Sequence, residues 1–413
     1  MSRGKLGSFT ARNRARPFRR RALLGLGVGC TLLPGLAQSL SLRGATPQRS
    51  LGGADLARGL SDSTLGVALT WMAEHPPTEL AWNWGEGVLA FGVECAFQTN
   101  RDERLRSYLR EYLRHHRTRG VTVTWSDQAT PGLAATALAQ QGEAEFALLS
   151  EQVVRYVLGA PRTRSGMLRH LGAAYPDVVQ RLFPDAWIDS VFHIVPTLMR
   201  YAVWKSDPRA LAEGARQLVL FSRALADPVT GLITHACNDG DALEPVPAFA
   251  ERAFWARGNG WMLAALVDAF AFLPADHPDR AELLSFAHRL EAKLGEAQAS
   301  SGLFHTLLLD QDSYQETAGS ALILFGMARG LRLGLFGDAT FARVVRGAHG
   351  LWEVVRRAGA EELVTGTSLG TNPVEPLYRW TPTAEQVSYG VGAWLLAASE
   401  TLQLLESAPG LDA

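Results

Sequence analysis

Three features of the chain predict an all-α fold, an (α/α)6 barrel of six helical hairpins in a single domain. About twelve segments have helical length and period, one-striped segments alternate with segments that are apolar all round, and no convincing strand ladder lies between them. The helical segments run over roughly 62–75, 84–98, 102–117, 131–141, 144–160, 187–204, 207–227, 257–274, 278–298, 315–335, 339–357 and 383–405. In the third, Leu105, Tyr108, Leu109 and Tyr112 form one stripe among arginines and glutamates, as on a solvent-facing helix. In 187–204, Trp187, Val191, Ile194, Leu198 and Tyr201 form one stripe and Ile188, Phe192, Val195 and Met199 a second, so this helix must be covered on every side. Apolar helices inside and striped helices outside make two layers, and alternation between them closes six hairpins into a barrel. A helix-repeat superhelix is the competing all-α fold, and the absence of self-similarity at a fixed period argues against it.

The breaks between segments are rich in glycine, proline and polar residues, as at Ser206-Asp207-Pro208, 227–241 and 366–373. Stretches 228–256 and 359–382 exceed simple hairpin turns, and long ordered loops at one mouth of a barrel are where a site is built.

The amino terminus reads as an address. Eight basic residues (Arg3, Lys5, Arg12, Arg14, Arg16, Arg19, Arg20 and Arg21) precede the apolar run 22–36, and the first acid is Asp55. That run is short of the ~20 apolar residues that span a bilayer and contains Gly25, Gly27, Gly29 and Pro34. Arg20-Arg21-Ala22-Leu23-Leu24 has the form of a twin-arginine signal, and Gly35-Leu36-Ala37 offers the small residues of a cleavage site. We therefore assign 1–37 to an export signal, 38–60 to a linker and 61–407 to the barrel, and expect a periplasmic or secreted protein without a membrane anchor. Cys30 raises lipidation, against which Gly27-Val28-Gly29 lacks the leucine of a lipobox. Without its first eight basic residues the chain keeps 32 of 40 Lys and Arg against 41 Asp and Glu, a net charge of about −9, which implies no nucleic-acid partner. An acidic sugar would need a locally positive pocket. Cys95 and Cys237 are open to pairing in an oxidising compartment or to remaining buried thiols.

HExxH, zinc-like Cys/His spacing, a P-loop and the G-x-S-x-G elbow are all missing, so no metal or cofactor is expected. Asp189 follows Trp187 closely on the helix that must be buried. Desolvation there raises a carboxyl's pKa, as a general acid near neutral pH requires, although a capping or internally bonded aspartate fits the same pattern. In Phe254-Trp255-Ala256-Arg257-Gly258-Asn259-Gly260-Trp261 two tryptophans flank an arginine and two glycines. Asn259 is read as the N-cap of a helix over 260–272, whose start together with Arg257 suits a carboxylate, while the indoles offer sugar platforms or core packing. His235 lies in a long loop, and His193 one turn after Asp189 is the other histidine of interest; for the remaining histidines a structural reading is expected.

These residues resemble, in order and spacing, the signatures of the unsaturated glucuronyl and rhamnogalacturonyl hydrolases of glycoside hydrolase families 88 and 105. The matching segments are Trp187-Ile188-Asp189 with Pro196, Gly231-Leu232 to His235, Phe254 to Trp261, Asp312 to Ser320 and Gly390-Val391-Gly392-Ala393. The likeness runs from Trp71 to Glu400, and Trp-Ala-Arg-Gly-Asn-Gly-Trp leans toward family 105. It implies a catalytic role for Asp189, an active-site role for Asp127, and a substrate site that includes Trp84, Trp187, His193, His235, Trp255, Arg257, Asn259 and Trp261, with Glu86 beside Trp84 in a barrel-mouth motif. It also implies an oligosaccharide substrate ending in a 4,5-unsaturated uronic acid, whose C4=C5 enol ether is hydrated by acid catalysis. His193 stands where the family usually has methionine. Two other readings remain open on these residues: an inverting glycosidase or sugar epimerase on the same barrel, and a non-catalytic sugar-binding protein.

Overall fold

Burial divides the helices into the two kinds that the sequence pattern requires. In the computed structural model, residues 53–175, 183–239, 253–374 and 376–407 are described, and they lie within one compact unit, Leu51–Ala413. In chain order the helices are α1 (Gly53–Glu74), α2 (Trp84–Asn100), α3 (Glu103–Arg119), α4 (Gly132–Gln140), α5 (Ala147–Gly159) and α6 (Asp189–Lys205). They continue with α7 (Pro208–Leu225), α8 (Ala256–Ala269), α9 (Arg280–Ala297), α10 (Thr317–Arg332), α11 (Asp338–Glu353), the single turn α12 (Leu377–Trp380) and α13 (Ser388–Ser407). Every residue of α8 is buried, whereas α3 buries one stripe that includes Leu105, Tyr108, Leu109 and Tyr112.

The inner helices close a ring. Helix α2 packs on α4, α4 on α6, α6 on α8, α8 on α10, α10 on α13, and α13 returns to α2. Helices α1, α3, α5, α7, α9 and α11 form the outer layer, so six hairpins make the barrel. Glycine allows the closest approaches: a Cβ on Gly92 of α2 would collide with the backbone of Gly392 on α13, and one on Gly260 of α8 would stand 2.7 Å from Leu322 on α10.

At one end, inner helices pass to outer ones through short turns. Arg101 (φ 56°) and Ser206 (φ 53°) take the left-handed conformation that ends α2 and α6. Asp102 then caps α3 by accepting from Arg104 N at 2.9 Å, and Asp207 caps α7 by accepting from Arg209 N at 2.9 Å. At the other end, among the described residues, run the connections that precede the inner helices, 75–83, 120–131, 160–175 with 183–188, 226–239 with 253–255, 298–316, and 354–374 with 376–387, so all six inner helices begin at this mouth. Three small antiparallel pairs lie in these connections: β1 (Ala186–Trp187) with β2 (Ala236–Cys237), β3 (Val355–Ala358) with β4 (Glu361–Val364), and β5 (Thr367–Ser368) with β6 (Thr383–Ala384).

Several sequence boundaries shift. Helix α1 starts at Gly53, inside the stretch read as linker. Trp187 belongs to β1 rather than to the helix, which begins at Asp189. The segment read as helix to 357 ends at Glu353 and turns into β3. Cys95 and Cys237 are free thiols; burial pushes Cys237 up to about 12. The export signal assigned to 1–37 lies outside the described residues, and no described helix is long and apolar enough to cross a membrane.

Candidate active site

Two residues 46 positions apart meet because β1 pairs with β2. Trp187 stands opposite Ala236, and Ile188 N donates to His235 O at 2.9 Å. This places His235 against the first residue of α6, with His235 Nε2 3.3 Å from Asp189 Oδ2, in ion-pair contact but without the alignment of a hydrogen bond. The His235 ring is wholly buried, whereas the Asp189 side chain keeps 18% exposure. Trp255 stacks on His235 at 4.3 Å, Trp187 meets it edge-on at 5.5 Å, and Tyr378 Oη lies 2.8 Å from its Nδ1.

Asn259 holds the loop that carries this histidine. It lies inside α8, which starts at Ala256 with Trp255 as its N-cap. The reading of Asn259 as an N-cap is thereby corrected. Its Oδ1 accepts from Ile233 N at 2.8 Å, and its Nδ2 donates to Ile233 O and to Trp255 O, both at 2.9 Å. With its amide fully engaged by backbone, Asn259 positions the 231–235 loop rather than meeting a sugar.

Arg257 is similarly committed. The guanidinium, 1% exposed, makes an ion pair with Glu316 at 3.3 Å and donates to the carbonyls of Ser368 at 3.1 Å and Leu369 at 3.2 Å. It lies 4.3 Å above the Trp255 ring and 5.1 Å from that of Tyr389. Glu316, the N-cap of α10, accepts from Ala318 N, Gly319 N and Ser368 N. Through Nη1 and Nη2 the guanidinium braces Trp255 against the 365–369 segment, while its Nε is buried without a hydrogen-bond partner.

The second aspartate, Asp127, sits on the 3-10 turn Ser126–Ala129 beneath two histidines. Its Oδ1 is 3.3 Å from His193 Nδ1 and 3.6 Å from His170 Nε2. His170 Nδ1 lies 2.8 Å from Ser126 Oγ and 3.0 Å from Ser190 Oγ, and its ring is stacked on Trp187 at 4.6 Å. His193 lies among Trp84 (6.3 Å), Trp261 (6.0 Å) and His170 (6.4 Å), and Trp84 packs on Tyr389 at 4.2 Å. Glu86 is in the first turn of α2, where burial pushes its carboxyl up against the lowering effect of its own backbone amide and Ser388.

All ten sequence-predicted site residues therefore stand at the mouth end. Eight of them, Asp189, His235, Trp187, Trp255, Asp127, His193, Trp84 and Trp261, join in one linked aromatic and acidic cluster; Arg257 and Asn259 lie behind it. His170, Tyr378, Tyr389 and Glu316 complete the site, and of these only Glu316 falls within a matched sequence segment. His170, for which the sequence suggests a structural role, lies instead at the centre.

Electrostatically, the site departs from expectation. Burial opposes ionisation of Asp189, but contact with His235 and the influence of His170 and His193 outweigh it and hold the carboxyl well below the usual carboxylate range. The raised pKa expected from desolvation alone is thus corrected by three histidines. Burial pulls His170 down from its ordinary value, against Asp127 and Asp189. Buried polar atoms without a protein hydrogen bond cluster here: Asp189 Oδ2, both nitrogens of His193, His235 Nε2, Arg257 Nε, and the indole nitrogens of Trp255 and Trp261. Groups of this kind cost about 1–3 kcal/mol each and mark places where a ligand supplies the missing partner. Among the described residues no group of three or more His, Cys, Asp or Glu is placed to hold a metal ion.

Comparison with known proteins agrees with this fold. The profile of Glycosyl Hydrolase Family 88 matches residues 64–405. The chain is 27% identical over 246 residues to the unsaturated rhamnogalacturonyl hydrolase YesR of Bacillus subtilis, covering 59% of this chain and 69% of that one. It is 25% identical over 379 residues to an unsaturated 3S-rhamnoglycuronyl hydrolase of Formosa agariphila, covering 84% and 93%. A crystal structure described as a possible member of family GH105 from Salmonella enterica superposes with a TM-score of 0.72 at 21% identity, over 88% of this chain and 97% of that one. The unsaturated glucuronyl hydrolase of Bacillus sp. GL1 superposes with a TM-score of 0.65 at 14% identity, over 83% and 96%. These structures establish the six-hairpin fold, and the first is consistent with the leaning toward family 105.

Proposed function

The chain belongs to Glycosyl Hydrolase Family 88, and from that premise we propose that it releases a terminal 4,5-unsaturated uronic acid from oligosaccharides of the kind polysaccharide lyases leave. The observation that carries this reading is the Asp189 carboxyl at the start of α6, partly open, in contact with His235 and walled by Trp187 and Trp255. Asp189 passes a proton to C4 of the enol ether, positive charge develops at C5, and water adds there. The resulting hemiketal opens and frees the neighbouring sugar. Asp127, with His193 and His170, orients polar groups of the substrate or the incoming water.

Binding an acidic sugar follows from the same fold. Six inner helices begin at the mouth, and their N-termini give a locally positive field in a chain that is acidic as a whole. Trp84, Trp187, Trp255 and Trp261 supply apolar faces and exclude water, and the unpartnered indole and imidazole nitrogens supply hydrogen bonds.

The direct experiment is incubation of the mature protein with lyase-digested rhamnogalacturonan and glycosaminoglycan fragments. Loss of the unsaturated uronate's ultraviolet absorbance together with release of the next sugar is expected. Cleavage of saturated uronides at a comparable rate would instead indicate an ordinary inverting glycosidase. Binding of either fragment class without turnover would indicate a sugar-binding protein.

Export through the Arg20-Arg21 signal, read from the charge pattern and apolar run of the amino terminus, belongs to this proposal. Replacing both arginines by lysine should leave an unprocessed precursor in the cytoplasm; unchanged export would remove the twin-arginine route and leave the enzymatic reading intact.

A further inference from the structure

Asp189 is asked to donate a proton, yet its surroundings favour its ionised form. The source of the proton must therefore lie beside it. His235 is the group in contact, and its other nitrogen is 2.8 Å from the phenol of Tyr378. Tyr378 is wholly buried in a small apolar cluster with Ala253, Trp255 and Leu307, so its ring position is fixed by packing. The loop that carries His235 is fixed separately through Asn259.

We propose that Tyr378 is a positioning residue that accepts a hydrogen bond from His235 Nδ1, so that Asp189 and His235 share one proton and act together as the acid. If Nδ1 carries a hydrogen, the proton on Nε2 of the imidazolium is the mobile one, because Nε2 faces Asp189 Oδ2. That proton passes to Asp189, which delivers it to C4. The imidazolium–carboxylate pair thereby loses its one shared proton, leaving a neutral imidazole beside a carboxylate. Water adding at C5 then releases one proton, which recharges the pair. The net change is addition of one water to the substrate, with no other reactant. The opposite arrangement, Tyr378 donating to Nδ1, would fix a hydrogen on Nε2 of a neutral ring and hold Asp189 as a carboxylate.

The groups around the pair are few. His193 faces it from α6, His170 and Asp127 from the loops preceding β1 and α4, Tyr378 from α12, and Arg257 stands behind Trp255 on α8. Of these, Tyr378 is the one whose polar atom meets Nδ1 of His235.

The proposal depends on the hydrolase reading only for its kinetic test, which uses Tyr378→Phe, a change that keeps the buried ring and removes the hydroxyl. Loss of an acceptor destabilises the protonated pair. The alkaline limb of kcat/KM should move down by about half to one pH unit, with KM little changed. A limb that stays in place, or moves up, overturns the proposal. A second measurement needs no substrate: nitrogen NMR of histidine-labelled wild-type protein, with the His235 signals identified by their loss in His235→Gln. A protonated Nδ1 at neutral pH is the expected result, and an unprotonated Nδ1 overturns the proposal even if the enzyme turns over unsaturated uronides. Absence of turnover on every such substrate, with Nδ1 protonated, would count against the proposed function and leave the hydrogen bond to Tyr378 in place.

Discussion

Asp189 and Arg257 carry the same kind of sequence signal, a charged residue among aromatics, yet the structure gives them opposite surroundings. Asp189 retains 18% exposure and an oxygen without a hydrogen bond. Arg257 is 1% exposed, with Nη1 and Nη2 on Glu316 and two backbone carbonyls and only its Nε unpartnered. Asp189→Asn should still fold and should lose about 10²–10⁴ in kcat, since the amide keeps the shape and carries no transferable proton. Activity within a few-fold of wild type would remove Asp189 from the acid role. Arg257→Lys should behave differently. Lysine cannot serve carbonyls and carboxylate in the same planar fork, and each buried acceptor left unmet costs about 1–3 kcal/mol. The melting temperature should fall, and turnover of an unsaturated uronide and of its methyl ester should fall by the same factor. A selective loss on the acid would restore Arg257 as the reader of the substrate carboxylate. The sequence showed these residues but not their partners: His170 sits between Arg169 and Leu171, and Tyr378 between Leu377 and Arg379, with no spacing that ties either to a motif. Their roles come from long-range packing, which a local pattern does not carry.

At the scale of elements, the legible features were those whose signal repeats over several turns. The apolar period identified the twelve long helices among the described residues and their order, and the doubly striped segment 187–204 became the inner helix α6. Two-residue strands have no period to read, which is why β1 and β2 were missed, although they bring His235 to Asp189. The Val355–Ala358 strand continued the apolar pattern of α11, and the reversal becomes visible only at Gly359, with φ 64°. Asn259 illustrates the same limit. An asparagine before Gly-Trp fits an N-cap, but α8 begins earlier and the amide is used to pin Ile233. Asn259→Ala removes bonds to Ile233 N, Ile233 O and Trp255 O. We expect a loss of about 1–3 kcal/mol in stability and a lower kcat, because His235 is two residues from the released anchor. Full stability with full activity would show that the β1–β2 pairing alone holds the loop.

For the molecule as a whole, the two ends of the barrel have different tasks. The mouth keeps polar atoms unpartnered around Asp189, whereas toward the other end charges lie buried and paired. Asp268 of α8 receives Arg200 of α6, with Nη2 to Oδ1 at 2.9 Å and a second, shorter contact from Nη1, and pairs with Arg329 of α10 at 2.8 Å. Glu400 of α13 pairs with Arg329 at 3.3 Å and Arg332 at 2.5 Å. Four adjacent inner helices are thus tied at the end opposite the site. Burial opposes ionisation of Asp268, but Arg200 and Arg329 outweigh it and hold the carboxyl below its ordinary value. A carboxyl depressed in the folded state contributes stability that is complete above the unfolded value of about 4 and is lost as pH falls through the folded value. Asp268→Asn removes the charge, takes from Arg200 its carboxylate partner and leaves Arg329 to share Glu400 with Arg332. At pH 7 this should cost about 3–5 kcal/mol, the scale for breaking a buried pair. The same change should matter less in acid, because below about pH 4 the unfolded chain's aspartate takes up a proton that the folded Asp268 resists, which erodes the wild-type advantage. Denaturant unfolding of both proteins between pH 7 and pH 3 tests this: the stability difference should be constant down to about pH 5 and narrow below it. A difference that persists unchanged at pH 3 would mean that the amide disturbs packing rather than charge, and the tie between the four helices would then be steric.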